Sequence, residues 1–190
     1  MERHPTAVSM AGKSRESLLL AQSVFHSSRL RIYTSSDVLG LEVAGSLKNV
    51  IAIAAGVCSG LGYGVNSRAA LITRGLAEIM KVGVTLGAKT ETFLGLGGVG
   101  DVFLTCSSEN SRNFRVGMGL AKGQSLEEAV SLLGSTAEGV ATARSAHKLC
   151  KSLNVRHPII ETVYQVLYEQ RPVKKAVLDL ITSVPREEFE

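Results

Sequence analysis

The 190-residue sequence has no tryptophan and few aromatic residues of any kind, which make up 5% of the chain. Proteins that bind single-stranded nucleic acid stack its bases on aromatic side chains, so this composition argues against such a platform. The net charge is +4, yet the lysines and arginines are scattered and form no long basic run. We therefore expect no nucleic-acid partner, and the mildly basic surface suits a small phosphorylated molecule.

Cysteine is also scarce. Cys58, Cys106 and Cys150 lie far apart, without a C-x-x-C pair and without histidines at metal-ligand spacing. This pattern predicts neither a disulfide framework nor a metal site. We expect reduced thiols in the core of a cytoplasmic protein.

Long apolar runs are missing as well. The longest, residues 50–61, is interrupted by Gly56 and Gly60 and has about half of the ~20 residues that a membrane span needs. Residues 1–5 lead into strand-like sequence instead of the apolar segment of a signal peptide. We expect a buried core helix at residues 50–61 and no membrane span.

The first part of the chain shows the pattern of one β-α-β unit. Residues 6–10 and 29–34 alternate as strands do, and residues 14–25 between them form an amphipathic helical pattern. Two short strands cannot cover their own edges. We therefore interpret residues 1–35 as the last part of a larger sheet.

Residues 36–190 carry helical patterns throughout, which predicts a mainly α fold after the β-α-β unit. Ser36 and Asp37 are candidate N-caps for a long helix that ends near Gly60. Ser67 is the candidate cap of a second helix, which Gly87 ends. Shorter helices are expected at residues 90–95, 99–106 and 112–121.

Two capping boxes, S-L-E-E from Ser125 and S-T-A-E from Ser135, predict further helix starts. Pro158 suits the first turn of another helix. The helices expected from these signals lie at residues 125–133, 135–153, 158–169 and 173–182. Residues 185–188 are expected to form an irregular tail.

The glycine-rich run at residues 95–100 matches the dinucleotide-binding motif G-x-G-x-x-G. That motif needs a strand before it and an acidic residue after a second strand, and the sequence predicts neither here. The alternative is tight turns and close helix packing, which we favour.

Lys48 and Asn49 interrupt a helix that is otherwise small or apolar. The lysine side chain either reaches the surface along its apolar stem or lies in a cleft. A desolvated ammonium has a lowered pKa and can exchange a proton with a carbonyl or alcohol oxygen. Asn49 is a candidate to hold that amine or a substrate hydroxyl, or it bonds to the backbone.

Asp101 and Thr105 are four residues apart and therefore share a helix face. The carboxylate either orients the Lys48 amine, binds a substrate hydroxyl or serves as an N-cap.

Ser111, Arg112 and Asn113 stand at a helix start, where backbone N–H groups, the helix dipole and a guanidinium converge. This is a candidate phosphate site, and a simple cap followed by a solvated arginine is the alternative.

Taken together, these motifs resemble the NAD(P)-dependent glycerol-3-phosphate dehydrogenases of the bacterial type, which also occur in plastids. The resemblance covers nearly the whole chain and rests on several motifs in the right order. They are YTSSDV (33–38), LKNVIA (47–52), NSRAALITRG (66–75), GDVFLTC (100–106), SRN (111–113) and AEG (137–139).

The resemblance implies roles for residues around the reacting carbon. Lys48 matches the family's catalytic lysine, which donates a proton to the ketone oxygen of dihydroxyacetone phosphate and removes it in the reverse reaction. Asn49, Asp101 and Thr105 match residues around C2 and its hydroxyls.

The same resemblance implies a second group of contacts. Ser111, Arg112 and Asn113 match the substrate-binding run, and Lys48 counts among the substrate-binding residues too. Arg112 also reaches the cofactor, NAD or NADP, and Glu138 matches another cofactor contact. The capping box at Ser135 and the cofactor contact of Glu138 are compatible expectations.

The resemblance also implies a division of the chain. Residues 36–190 correspond to the helical substrate-binding domain, and residues 1–35 correspond to the end of a doubly wound, Rossmann-type dinucleotide-binding domain. The chain as given is therefore expected to bind cofactor poorly and to be inactive by itself. A cytoplasmic or plastid enzyme of glycerophospholipid synthesis, able to form a homodimer, is the implied context.

Two other functions compete with this one. The first is a related two-domain dehydrogenase of hydroxyacids, against which the pairing of Lys48-Asn49 with Arg112-Asn113 argues. The second is a non-catalytic helical module that serves in dimerisation.

Overall fold

A computed structural model describes residues 4–182 of the chain. The predicted irregular tail at residues 185–188 lies outside this range. The elements are β1 (Thr6–Ala11), α1 (Arg15–Phe25), β2 (Leu30–Ser35), α2 (Val38–Gly60), α3 (Val65–Thr85), α4 (Thr90–Leu94), a π-helical turn (Leu96–Gly100), α5 (Asp101–Ser107), α6 (Arg112–Ala121), α7 (Leu126–Ser131), α8 (Glu138–Ser152), α9 (Pro158–Tyr168) and α10 (Val173–Ile181). The predicted mainly α fold after a β-α-β unit is confirmed.

The β-α-β unit has parallel strands, with Thr6 opposite Leu30. Ser14 caps α1 by accepting a hydrogen bond from the backbone of Ser17. Leu18 is the buried residue of that helix, whereas Phe25 on the same helix is 58% exposed. The unit therefore contributes little to the main core.

Helix α2 is the centre of the core. It runs for 23 residues, and Val50, Ile51 and Ala52 are completely buried among α3, α5, α6 and α8. By length and composition alone this helix could cross a membrane, but 56% of its most apolar 18-residue stretch is buried inside the protein. The prediction of a buried core helix at residues 50–61 is confirmed, within a helix twice as long as the apolar run.

Asp37 fixes the start of α2, as the sequence predicts. Its carboxylate accepts from the backbone N–H of Gly40 at 3.0 Å, from that of Lys89 at 2.9 Å and from the Thr92 hydroxyl at 2.5 Å. Burial raises the pKa of Asp37, but these hydrogen bonds and the Lys89 charge outweigh burial and hold the pKa below its usual value. One side chain thus ties α4 to the start of α2.

Helices α2 and α6 touch through their backbones. A Cβ atom on Gly56 would lie 1.9 Å from the carbonyl oxygen of Phe114, and one on Gly117 would lie 2.0 Å from that of Ile53. Only glycine permits so close an approach. This contact sets where the first turn of α6 stands relative to the middle of α2.

Two helix starts differ in how the sequence encodes them. Helix α3 begins at Val65 after Gly64, so the prediction that Ser67 caps it is wrong. Gly62 turns with a φ of 81°, and the helix starts as soon as that turn is complete. The capping box at Ser125 is confirmed, with Ser125 and Glu128 bonded in both directions.

The buried carboxyl group of Glu78 caps α9 from another helix, which the sequence analysis did not anticipate. It accepts from the backbone N–H groups of Ile159 at 2.8 Å and Ile160 at 3.1 Å. Pro158 occupies the first turn of α9, as predicted. Burial raises the pKa of Glu78 to about 7, although both hydrogen bonds and two nearby arginines lower it.

The cysteines are free and buried, in agreement with the prediction of core thiols. Cys106 and Cys150 have no exposed surface. Burial raises the pKa of Cys106 to about 12 and that of Cys150 to about 11. Thiols in such surroundings are poor nucleophiles.

Candidate active site

Lys48 of α2 and Asp101 of α5 form an ion pair through Nζ and Oδ2. Their side chains are 21% and 32% exposed, respectively. The ammonium therefore lies neither in the core nor in open solvent, but in a partly open position where a small molecule can reach it. The ion pair is the arrangement expected if Asp101 orients the Lys48 amine, and its contact with a substrate hydroxyl stays a prediction.

The π-helical turn explains why the Asp101 side chain is free to pair with Lys48. Residues 96–107 form one continuous helix, and the backbone N–H of Asp101 bonds to carbonyls of Leu96 and Gly98. Asp101 therefore follows a completed turn, and the alternative that it is an N-cap is wrong. The Thr105 hydroxyl donates to Oδ1 of Asp101 at 3.3 Å, which confirms that both residues share one face.

The glycine-rich run is a packing element in this structure. A Cβ atom on Gly98 would lie 2.2 Å from the carbonyl oxygen of Phe93, and one on Gly97 would lie 2.1 Å from Leu41. The preceding element is helix α4 instead of a strand. The prediction of close helix packing is confirmed, although its π-helical form was not anticipated.

Ser111 and Arg112 stand at the start of α6. The Ser111 hydroxyl accepts from the backbone N–H of Phe114 at 3.3 Å and so caps the helix. Arg112 is the first helical residue and is exposed. Ser111 therefore caps the helix, and its role in substrate binding stays a prediction. The exposed Arg112 is accessible to an anion.

Asn49 and Asn113 join three helices. Nδ2 of Asn113 donates to Oδ1 of Asn49 at 2.9 Å, and Oδ1 of Asn113 accepts from the backbone N–H of Gly139 at 2.9 Å. Helix α8 begins at Glu138, so the predicted capping box at Ser135 is wrong. An asparagine from α6 satisfies the first turn of α8, which leaves Glu138 exposed at the helix start.

The predicted site residues thus fall into two connected groups on α2. One group consists of Lys48, Asp101 and Thr105, joined by an ion pair and a hydrogen bond. The other is the junction of Asn49 with Asn113, to which the starts of α6 and α8 add Ser111, Arg112 and Glu138. Because Lys48 and Asn49 are consecutive, the two groups adjoin.

Residues 37–178 match the family model described as the C-terminus of NAD-dependent glycerol-3-phosphate dehydrogenase. The chain belongs to this family. Its helical part therefore corresponds to the C-terminal region of those dehydrogenases.

Individual members of the glycerol-3-phosphate dehydrogenase family are also similar to this chain in sequence. The chain is 50% identical over 184 residues to the glycerol-3-phosphate dehydrogenase [NAD(P)+] of Geobacter metallireducens, covering 97% of this chain and 55% of that protein. It is 46% identical over 185 residues to that of Carboxydothermus hydrogenoformans, with coverage of 97% and 55%. The chain thus spans about half the length of the curated relatives it matches.

Solved structures from the same family share the fold. The crystal structure of glycerol-3-phosphate dehydrogenase from Coxiella burnetii superposes with a TM-score of 0.92 at 38% identity, covering 95% of this chain and 55% of that one. The enzyme from Saccharomyces cerevisiae gives a TM-score of 0.83 at 28% identity, again with 95% and 55% coverage.

The exposed residues at the two helix starts have the chemistry that a dinucleotide needs. Arg112 presents a guanidinium suited to phosphate, and Glu138 presents a carboxylate suited to accept hydrogen bonds. They adjoin Asn113 and Gly139, which are in direct contact. Among residues 4–182 there is no group of three or more side chains that would hold a metal ion.

Proposed function

We propose that this chain is the substrate-binding and catalytic part of an NAD(P)-dependent glycerol-3-phosphate dehydrogenase. The reaction interconverts dihydroxyacetone phosphate and sn-glycerol 3-phosphate and supplies glycerophospholipid synthesis. The observation that carries this proposal is the partly open Lys48–Asp101 pair on a chain of this family.

Lys48 is the proposed proton donor. NAD or NADP, when bound, supplies or accepts the hydride. In the reducing direction, the Lys48 ammonium gives a proton to the ketone oxygen, and in the reverse direction the amine takes it back. Asp101 orients the ammonium through its Oδ2 atom, and Thr105 holds the other carboxylate oxygen.

The substrate phosphate is assigned to the start of α6. The exposed Arg112 guanidinium and the positive end of a ten-residue helix both favour an anion there. The full proposed set of substrate-binding residues is Lys48, Asn49, Asp101, Thr105, Ser111, Arg112 and Asn113.

Arg112 and Glu138 are the proposed cofactor contacts of this chain, for NAD or NADP. We assign residues 1–35 to the dinucleotide-binding domain and residues 36–190 to the substrate domain. The proposed location is the cytoplasm, which the buried free thiols support. The proposed protein partner is a second copy of the chain, supported by exposed apolar side chains such as Ile181 at 59%.

The test joins this chain to the N-terminal part of the Geobacter metallireducens relative, because the chain spans 55% of that protein. Oxidation of NADH or NADPH is followed with dihydroxyacetone phosphate as substrate. The parent fusion should turn over, and Lys48→Met should lower turnover by about 10²–10⁴-fold because the proton donor is lost. Lys148→Met, at an exposed position on α8, is the matched control.

The melting temperature of K48M should change little, because a partly exposed ion pair contributes about 1 kcal/mol or less. That of K148M should also change little, because its side chain is exposed. Near-parent turnover of K48M would remove the proton-transfer role. Activity of the parent on hydroxyacids with NAD+ or NADP+, without activity on dihydroxyacetone phosphate with NADH or NADPH, would reject the proposed substrate.

A further inference from the structure

Gly45 is a glycine inside helix α2 that close packing does not explain. A glycine in a helix interior weakens the helix relative to alanine, so its lack of a side chain needs a reason. The other glycines of α2 have one, because a Cβ atom on Gly40, Gly56 or Gly60 would lie 2.6 Å or less from a neighbouring atom. In the part of the chain that the structure describes, a Cβ atom on Gly45 would meet no side chain and no neighbouring element within 4 Å. The missing side chain therefore leaves open space.

This open space lies beside the Lys48–Asp101 pair. Residues three and four apart share a helix face, so Leu41, Gly45 and Lys48 follow one another along one side of α2. Leu41 covers the π-helical turn, since a Cβ atom on Gly97 would lie 2.1 Å from the Leu41 side chain. Lys48 pairs with Asp101, just after that turn. Gly45 thus stands between two contacts of α2 with the helical segment that carries Asp101.

Polar groups of the proposed substrate site border the space. The Lys48 side chain, three residues after Gly45, is 21% exposed. The carbonyl oxygen of Gly45 accepts a hydrogen bond from Nδ2 of Asn49 at 3.4 Å. A side chain at position 45 would therefore project next to the ammonium that has to meet the substrate.

We propose that Gly45 is a specificity-determining residue of the substrate pocket. Its missing side chain leaves the space beside the Lys48 ammonium to the substrate, a small phosphorylated ketone or alcohol, whose oxygen can then reach the proton donor. A methyl group at this position would enter the same space and compete with the ligand. The identity of the ligand rests on the proposed function, whereas the open space does not.

The proposal separates an effect on activity from an effect on folding. Alanine forms helices better than glycine, and the added methyl group would meet no neighbouring element of the described chain. Gly45→Ala should therefore fold at least as stably as the parent. A loss of activity in G45A would then come from the ligand and not from a damaged fold.

The kinetic test uses the fusion with the N-terminal part of the relative. Gly45→Ala should lower kcat/KM for dihydroxyacetone phosphate about tenfold or more, as one extra carbon in a fitted pocket does. The KM for NAD(P)H should stay within about twofold, and the larger Gly45→Leu should lower kcat/KM further. Ser46→Ala, at the next and exposed position of α2, is the control and should keep parent kinetics. Parent kinetics in G45A would overturn the proposal, and so would a raised KM for NAD(P)H alone, which would assign the space to the cofactor.

A binding test uses the chain itself and needs no turnover. Amide resonances of the nitrogen-15-labelled chain are followed by NMR during titration with sn-glycerol 3-phosphate and, separately, with inorganic phosphate. Glycerol 3-phosphate should shift the Gly45 amide, whereas inorganic phosphate should shift the start of α6 near Arg112 and leave Gly45 in place. An inactive parent fusion would reject the proposed function. The titration would then decide the inference alone, and a Gly45 resonance that glycerol 3-phosphate does not move would overturn it.

Discussion

Raising the pH past neutrality should weaken this fold by ionising one carboxyl group. Glu78 is 6% exposed between α3 and α9, and burial is the largest cause that raises its pKa from 4.5 to about 7. A carboxyl group with a raised pKa in the folded state binds its proton more tightly there than in the unfolded chain. Its contribution is therefore fully present below about pH 4.5 and is lost as the pH rises through about 7. The difference corresponds to about 3 kcal/mol of unfolding free energy.

The assay is urea unfolding of the parent and of Glu78→Gln, which cannot ionise, at a series of pH values from about 5 to about 9. The amide of the variant presents an N–H group to one of the two backbone donors, so E78Q should be less stable at low pH. That cost does not depend on pH. The stability advantage of the parent should shrink by about 3 kcal/mol across the series. Other titrating groups are common to both proteins and cancel in the difference.

The opposite trend would refute this reasoning. If the parent gained stability over E78Q as the pH rose, the carboxylate form would be the favoured one. The two backbone N–H groups at the start of α9 and the charges of Arg74 and Arg156, which lower the pKa of Glu78, would then outweigh burial.

Three further outcomes are expected. Asp37→Asn should lower the unfolding free energy by about 1–3 kcal/mol at neutral pH. Because the pKa of Asp37 is lowered in the folded state, this difference from the parent should fade in acid. Urea unfolding of both proteins at neutral and at acidic pH would measure it. Gly56→Ala places a methyl group 1.9 Å from the carbonyl oxygen of Phe114 and should lower the unfolding free energy by about 1–3 kcal/mol. Gly45→Ala, inside the same helix, meets nothing within 4 Å and should raise it by about 0.5–1 kcal/mol. Equal effects in urea unfolding would contradict the close contact. The three cysteines should resist a thiol reagent at mildly alkaline pH in the native protein and react fully once it is unfolded; rapid native labelling would contradict their burial.

Local signals in the sequence predicted most of the architecture. The Asp37 cap, the Ser125 capping box and Pro158 at the start of α9 all lie where the sequence places them. Each signal works within one turn of chain, so no knowledge of the fold is needed to read it.

Two of the failures have a common physical cause. Ser135 lost its predicted role because Asn113, distant in sequence, supplies the hydrogen bond at the start of α8. Glu78 was missed for the same reason, since it caps α9 from across the core. A tertiary cap leaves no pattern in the segment that it caps. Sequence reasoning therefore located the helices better than the contacts that set their starts.

In the candidate site, too, the sequence located the residues but not the contacts between them. Lys48, Asp101 and Thr105 stood out because polar side chains interrupted apolar helices, and the structure brings them into contact. What the sequence left open was the geometry. The choice between a cap and an ion pair for Asp101 depended on the π turn before it, which no residue pattern indicated.

That π turn also makes the glycine run sensitive to length as well as to composition. Successive residues of a helix point about 100° apart, and a π turn accommodates one more residue than an α turn does. The π turn at Leu96–Gly100 already takes up that extra residue, so removing one residue would convert it to an α turn and leave the direction of α5 nearly unchanged. Adding one residue would instead rotate α5 by that angle about the helix axis. Asp101 and Thr105 would then face away from Lys48 although every functional side chain remained in the chain. A one-residue insertion in this turn would therefore break the Lys48–Asp101 pair as fully as loss of the carboxylate.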